Sequence, residues 1–209
     1  MMNRALTPFL AVVAGLSLLG CASYPGTARP ASFDDLRREE GWLLLDSVPF
    51  VRQVTDTGCG AACLAMVLGH WGDGPAVEEL EKECAGPGQD GIRASDLRDA
   101  ARRRGMAAFL IRGTLADLDH ELSRGRPVLV GLAKPTGGGF LSHFEVVVGL
   151  HRDGGRIALL DPARGLVCDS LPGFEAEWTP TKGVTLVVFL PEEVPALVVS
   201  DAEQEGGGS

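Results

Sequence analysis

From residue 42 onward, short apolar runs alternate with charged segments of helical period, and the two periods divide the chain into elements. "WLLLDSVPFV" reads as buried extended chain. Between Cys59 and Trp71, Leu64, Val67, Leu68 and Trp71 recur at three- and four-residue steps, which predicts a helix with one apolar stripe. A second short helix is predicted in "PAVEELEKEC", with Pro75 in its first turn. A third is predicted in "ASDLRDAARRRG", with Ser95 as N-cap and Gly105 as the stop. "AAFLIR" predicts a strand. "TLADLDHELSRG" predicts a helix opened by a Thr114–Asp117 capping pair, with Leu115, Leu118 and Leu122 on one face and Gly125 at its end. "PVLVGL", "HFEVVVGL", "RIALLD" and "GVTLVVFL" are strands rich in Val and Leu. "RDGG" is a hairpin signal between the second and third of these, and the glycines at 137 to 139 form a loop. Helices first and a mostly antiparallel sheet afterwards make an α+β arrangement, without an internal repeat.

The N-terminus follows a different pattern. "MMNRALTP" carries one positive charge and precedes "FLAVVAGLSLLG", too short for a bilayer span and suited to a signal-peptide core. The run ends in "LLGC", which resembles a bacterial lipobox. The resemblance implies that residues 1–20 are a lipoprotein signal peptide and that Cys21 carries lipid. Ala22, where an inner-membrane retention signal would place Asp, implies the outer membrane, facing the periplasm, in a Gram-negative cell. An ordinary secretory signal cleaved near "CAS" is the alternative. No other apolar run is long enough to span a membrane. Residues 21–41, small and polar in "ASYPGTARPAS", read as a flexible tether. Residues 42–191 read as the folded domain and 192–209 as an acidic, disordered tail.

Composition narrows the partners. The formal charge is -9, so the surface repels phosphate backbones and nucleic acid is not an expected partner. The one basic cluster, Arg102 to Arg104, follows helical spacing and reads as a solvated face. Aromatic residues make up only 6%, so the core is built mainly from Leu, Val and Ala. Four cysteines remain beyond Cys21, with pairings that spacing does not assign.

Candidate chemistry centres on "VRQVTDTGCGAACLAMVL". Cys59 opens a predicted helix, where the helix dipole and unpaired N–H groups favour thiolate over thiol. Gly58 and Gly60 add little bulk beside it, leaving room for a substrate carbonyl. A cysteine nucleophile needs a base held by a third group. Of the four histidines, His70 lies three turns along the same helix, His120 sits in a charged stretch and His151 at a turn. His143 begins a strand beside the glycine loop. "RIALLD" ends at Asp161, which shares a face with His143 if the connection has odd parity, as a three-residue Asp153–Gly155 loop with a bulge would provide. Against these stand a buried structural Cys59, a weak C-x3-C zinc pair with Cys63, and a plain turn at "DPARG". Ser142 points away from His143's side of its strand.

The chain order Cys, His, Asp resembles that of papain-like cysteine peptidases, and particularly the bacteriocin-processing, double-glycine leader branch found at the front of peptide-exporting ABC transporters. The segments that carry the likeness are Gln53, "GCGAACLAMVL", "HFEVVVGL" and "DPARG", supported by "GIRASDLRDAARRRGM" and "LSRGRPVLVGL". The likeness covers roughly residues 48–190. It implies a papain-like fold, with Cys59 as nucleophile, His143 as base, Asp161 as its orienter and Gln53 as an oxyanion-hole donor. It implies no metal or organic cofactor, and a peptide or protein substrate. Two features depart from the family: Gly58 stands where Asp usually precedes the cysteine, with Asp56 two residues earlier, and the chain has no transporter helices or phosphate-binding loop. A non-catalytic, peptide-binding lipoprotein that keeps the fold is the alternative, although such forms usually lose the cysteine or the histidine.

Overall fold

The computed structural model describes residues 26–86 and 91–191. The expected signal segment, Cys21 and the expected acidic tail lie outside them. Eight strands form one sheet in the order β1 (Arg29–Pro30), β7 (Gly165–Ser170), β6 (Arg156–Asp161), β5 (Gly139–His151), β4 (Val128–Thr136), β8 (Val184–Phe189) and β3 (Ala107–Arg112). The eighth, β2 (Trp42–Leu44), pairs with the far end of β5, beyond the last β4 partner. Every pair is antiparallel.

Helices cover both faces. On one side lie α1 (Phe33–Arg37), α2 (Cys59–His70), α3 (Val77–Cys84) and α4 (Ala94–Arg103), which share a core with Leu129, Val146, Leu160, Leu186 and Val188. On the other lie α5 (Leu115–Ser123) and α6 (Leu171–Trp178), packed with Val128, Val130, Val147, Leu159 and Val187. Successive strand residues therefore enter opposite cores, which explains why these strands read as continuous apolar runs. No helix among the described residues is long and apolar enough to cross a membrane.

Several expectations hold at the level of single residues. β3 and β6 match their predicted spans, and α5 opens with a full Thr114–Asp117 capping box. Others are corrected. The ordered chain begins well before Trp42: Arg29–Pro30 pairs with Val167 and Cys168, and Ala28 and Leu36 are buried, so part of the expected tether belongs to the domain. The small, polar composition of that stretch hides a two-residue strand and a short helix capped by Ser32. Helix α2 has no single stripe, because every residue from Cys59 to Leu68 is buried. It lies between β5, α3 and α4, and Gly60 permits the contact: a Cβ there would meet Leu97 and Phe144 side-chain atoms at 3.1 and 3.2 Å. The N-cap of α4 is Arg93, in extended conformation, and Ser95 lies inside the first turn. Arg103 of α4 and its C-cap Arg104 pair with Glu83 and Glu79 of α3, so much of the basic run is spent on an ion network between the two helices.

Candidate active site

Cys59 is the first residue of α2, only 8% exposed, and it borders an open cleft of about 770 Å³. Ile92 at the start of α4, Gly131 on β4, Val184 on β8 and Phe140 and His143 on β5 also line that cleft. One turn along α2, the Cys63 thiol donates to the Phe144 carbonyl at 3.2 Å, fixing the helix against β5 beside His143.

The histidine and the acid meet through a register shift. Near the turn, β5 and β6 pair His151 with Arg156 and Leu150 with Ile157. Beyond it they pair Val147 with Leu159 and Val146 with Leu160, so Val148 is an extra residue, a bulge. Continued, this register sets Asp161 opposite Glu145, on the same face as His143. Without the bulge Asp161 would oppose Val146 and face the other core. The connecting turn, 152–155, has four residues rather than the odd number expected, and the parity is restored inside the strand instead.

His143 Nε2 and Asp161 Oδ1 are 3.0 Å apart, and both groups are buried. The same Oδ1 accepts from the Ala163 backbone N–H at 2.8 Å, so the turn after β6 orients the carboxylate. With Nε2 committed to Asp161, Nδ1 is the other ring nitrogen, and Cys59 lines the same cleft as His143 and raises its proton affinity. Burial alone would depress the imidazole. The hydrogen bonds to Asp161 and Cys59, with the negative field of Cys59 and Glu145, reverse this and push it up to about 10. The site is thus built to hold a proton on His143 beside a sulfur.

Burial pushes the other three thiols the opposite way from reactivity. Cys63 is held well above the ordinary thiol range by burial and by the negative field of Cys59, Glu145 and Asp161. Cys84 is pushed up to about 11 by burial, and Cys168 is raised for the same reason. All four described cysteines are unpaired.

Gln53 is anchored to the same turn. Its backbone N–H donates to the Pro162 carbonyl at 3.1 Å, and Arg52 reaches the Ala163 carbonyl at 2.7 Å. Its Nε2 donates to the Thr55 carbonyl at 3.0 Å, which occupies one of the two amide hydrogens. The second hydrogen is what an oxyanion could use. Asp56 is exposed on the cleft wall. The space where a side chain at position 58 would stand belongs to α3: a Cβ on Gly58 would lie 1.8 Å from Glu81 Oε1. Glu81 also accepts from the Thr55 hydroxyl at 3.1 Å. The two glycines flanking Cys59 serve packing, Gly58 against Glu81 and Gly60 against α4 and β5.

The remaining histidines are elsewhere. His70 contacts the Gly125 carbonyl, His120 is exposed, and His151 bridges Glu40 and the 152–155 turn. Three charged groups near the site escaped the sequence reading: Lys134 of β4, Glu145 of β5 and Glu177 of α6, all buried. Their signal was there, since a lone charge within "HFEVVVGL" or "VLVGLAKP" interrupts an otherwise apolar strand.

A cysteine at a helix N-terminus, a histidine on an adjacent strand and an acid on the next define a papain-like cysteine-peptidase domain. Residues 47–192 match the Peptidase C39 family, and the chain belongs to it. It is 37% identical over 138 residues to the transport/processing ATP-binding protein ComA of Streptococcus pneumoniae strain R6. That alignment covers 64% of this chain and 18% of ComA, so the chain spans less than a fifth of this relative's length. Among solved structures, the peptidase domain of Streptococcus ComA superposes with a TM-score of 0.58 at 24% identity, over 68% of this chain and 98% of that one. A double-glycine-motif protease from an AMS/PCAT transporter, solved with its leader peptide, gives 0.52 at 27% identity, over 68% and 90%.

Proposed function

We propose that this protein is a cysteine peptidase tethered to the bacterial cell envelope by lipid on Cys21, and that it cleaves peptide bonds of leader-type substrates. The observation that carries the reading is the buried His143–Asp161 pair, whose histidine lines the same cleft as Cys59. In the first step the Cys59 sulfur attacks the scissile carbonyl, and the C–N bond breaks as His143 passes its proton to the departing amine. The product is a thioester on Cys59. Water then attacks that thioester, giving its proton to His143, and the carboxylic acid leaves as the sulfur is released. The Gln53 amide and the Cys59 backbone N–H serve the oxyanion in both steps, an effect of about 3 kcal/mol per donor. The leader-type substrate rests on relatedness to the double-glycine-motif protease and ComA.

The test incubates the full chain, and its Cys59→Ala variant, with synthetic leader-type peptides carrying a Gly-Gly junction and with a mixed peptide library. Mass spectrometry reads the products. The reading predicts defined cuts by wild type alone and a hydroxylamine-sensitive acyl adduct on Cys59 at early times. Absence of both cuts and adduct contradicts it. For the anchor, a fatty-acid label should enter the wild-type chain in a bacterial host and not Cys21→Ser.

A further inference from the structure

Beneath the His143–Asp161 pair lies a second set of charges that peptide cleavage as described does not use. Lys134 Nζ is 2.6 Å from Glu145 Oε1 and 2.6 Å from Glu177 Oε2. The lysine and Glu145 are wholly buried, and Glu177 is 5% exposed. The three come from β4, β5 and α6, so no single element explains their meeting. The β4–β5 register sets Leu132 opposite His143, Val130 opposite Glu145 and Lys134 opposite Leu141. Lys134 therefore reaches Glu145 across the row that His143 occupies. A ring nitrogen of His143 and a carboxylate oxygen from each of Glu145 and Asp161 lie within 4.8 Å of one another.

As a purely structural device this is a poor choice. Removing such ions from water costs several kcal/mol each, and apolar residues of like volume usually do as well or better. Here the cost is incompletely offset: Glu145 Oε2 and Glu177 Oε1 have no hydrogen-bond donor among the described residues. An apolar pair could fill the same space between β5 and α6, where Leu132, Phe174 and Trp178 already pack. What apolar residues could not supply is a carboxyl group within 4.8 Å of the imidazole.

We propose that Glu145, fixed by Lys134 and Glu177, is a positioning residue for the catalytic histidine: it stabilises the protonated His143 ring from below while Asp161 orients it. The inference rests on the Cys59–His143–Asp161 reading. The charges involved can be counted. Glu145 is faced by Lys134 from β4, Asp161 from β6, His143 from its own strand and the Cys63 thiol from α2, while Glu177 from α6 meets it through Lys134. Arg164 stands 4.0 Å from the other Asp161 oxygen. Two buried carboxylates this close disfavour each other's ionisation, and the lysine ammonium is the group that opposes loss of charge from Glu145 beside Asp161. Burial, helped by Asp161, raises the Glu145 carboxyl on balance, and Lys134 and His143 hold that rise in check. Lys134 itself would be depressed by burial, but its two carboxylates raise it, so it stays a cation.

The ring resonances of His143 are titrated by NMR in the full chain, in wild type, Glu145→Gln and Glu177→Gln, with melting temperature recorded for each. The inference predicts a lower His143 midpoint in both variants, by at least about half a unit in Glu145→Gln, roughly a threefold loss of proton affinity. Glu177→Gln, acting only through Lys134, should shift it less. A structural role alone would lower the melting temperatures and leave the midpoint in place, and that result overturns the inference. If Glu145→Gln does not fold, Glu177→Gln decides: an unshifted midpoint overturns the inference, and a lowered one upholds it. Failure of the parent reading would look different, as a wild-type His143 titrating like an ordinary imidazole.

Discussion

Replacing Asp161 by Asn keeps the size of the side chain and removes only its charge. Oδ1 of residue 161 faces His143 Nε2 at 3.0 Å and the Ala163 N–H at 2.8 Å, and an amide oxygen can accept from both. A hydrogen bond to a charged group contributes about 1.5–3 kcal/mol and a neutral one about 0.5–1.5, so the change costs about 1–2 kcal/mol. At about 1.4 kcal/mol per unit, His143 should fall from its present position of about 10 by roughly one unit. The sign of the stability effect follows. A histidine raised above its unfolded value contributes stability that is fully present below about 6.5 and is lost as pH rises through about 10. Asp161→Asn should therefore be less stable than wild type by about 1–2 kcal/mol at pH 6, and the gap should close as pH approaches 10. Urea denaturation at the two pH values, with an NMR titration of His143, measures both quantities. A midpoint that does not move, or a stability gap equal at both ends, refutes the reasoning.

Other substitutions separate the roles of neighbouring groups. Gln53→Ala should lower the turnover rate by about a hundredfold and leave alkylation of Cys59 almost unchanged, because alkylation forms no oxyanion; equal losses in both assays would assign Gln53 a structural role. Gly58→Ala should cost only about 0.5–1.5 kcal/mol, the Thr55–Glu81 hydrogen bond, since the end of a flexible Glu81 can swing aside. That cost should vanish in a Glu81→Ala background, and a thermal-melt cycle that finds full additivity contradicts it. Thr114→Ala removes the capping box of α5 and should cost about 1 kcal/mol in urea denaturation without touching Cys59 reactivity.

The elements that sequence patterns revealed are those whose signals are local. The α5 capping box, the β6 run ending at Pro162 and the Val/Leu strands around it each declare themselves within a dozen residues. The elements that stayed hidden depend on distant partners. β7 and α6 run through "GLVCDSLPGFEAEW", where Pro172 and Gly173 break any period, and α6 is held by burial of Phe174 and Trp178 against β4. β1 is two residues long and exists only because β7 lies beside it. In α2 the small residues Gly60, Ala61, Ala62 and Ala65 blur the expected stripe, and they are small because the helix is enclosed.

The site divides in the same way. Cys59, His143 and Asp161 could be nominated from residue type and order; His143 and Asp161 meet at 3.0 Å, and Cys59 lines the same cleft as His143. The means by which it does so could not be read, because the Val148 bulge that turns Asp161 toward His143 has no residue signature of its own. The Lys134–Glu177 contact spans 43 residues, and no local pattern announces it. The carboxylate beside Gly58 likewise comes from Glu81 of α3 and not from its sequence neighbour Asp56.

The most direct measurement is the rate of iodoacetamide alkylation at Cys59 against pH, read by peptide mass spectrometry in wild type and His143→Ala. An imidazolium held beside the sulfur predicts rapid labelling of Cys59 well below pH 7, an advantage that disappears in His143→Ala, while buried Cys63 stays unlabelled in both. If Cys59 instead follows the curve of an ordinary thiol near pH 8.5 and is indifferent to His143, the two groups do not form a working pair and the peptidase reading is contradicted.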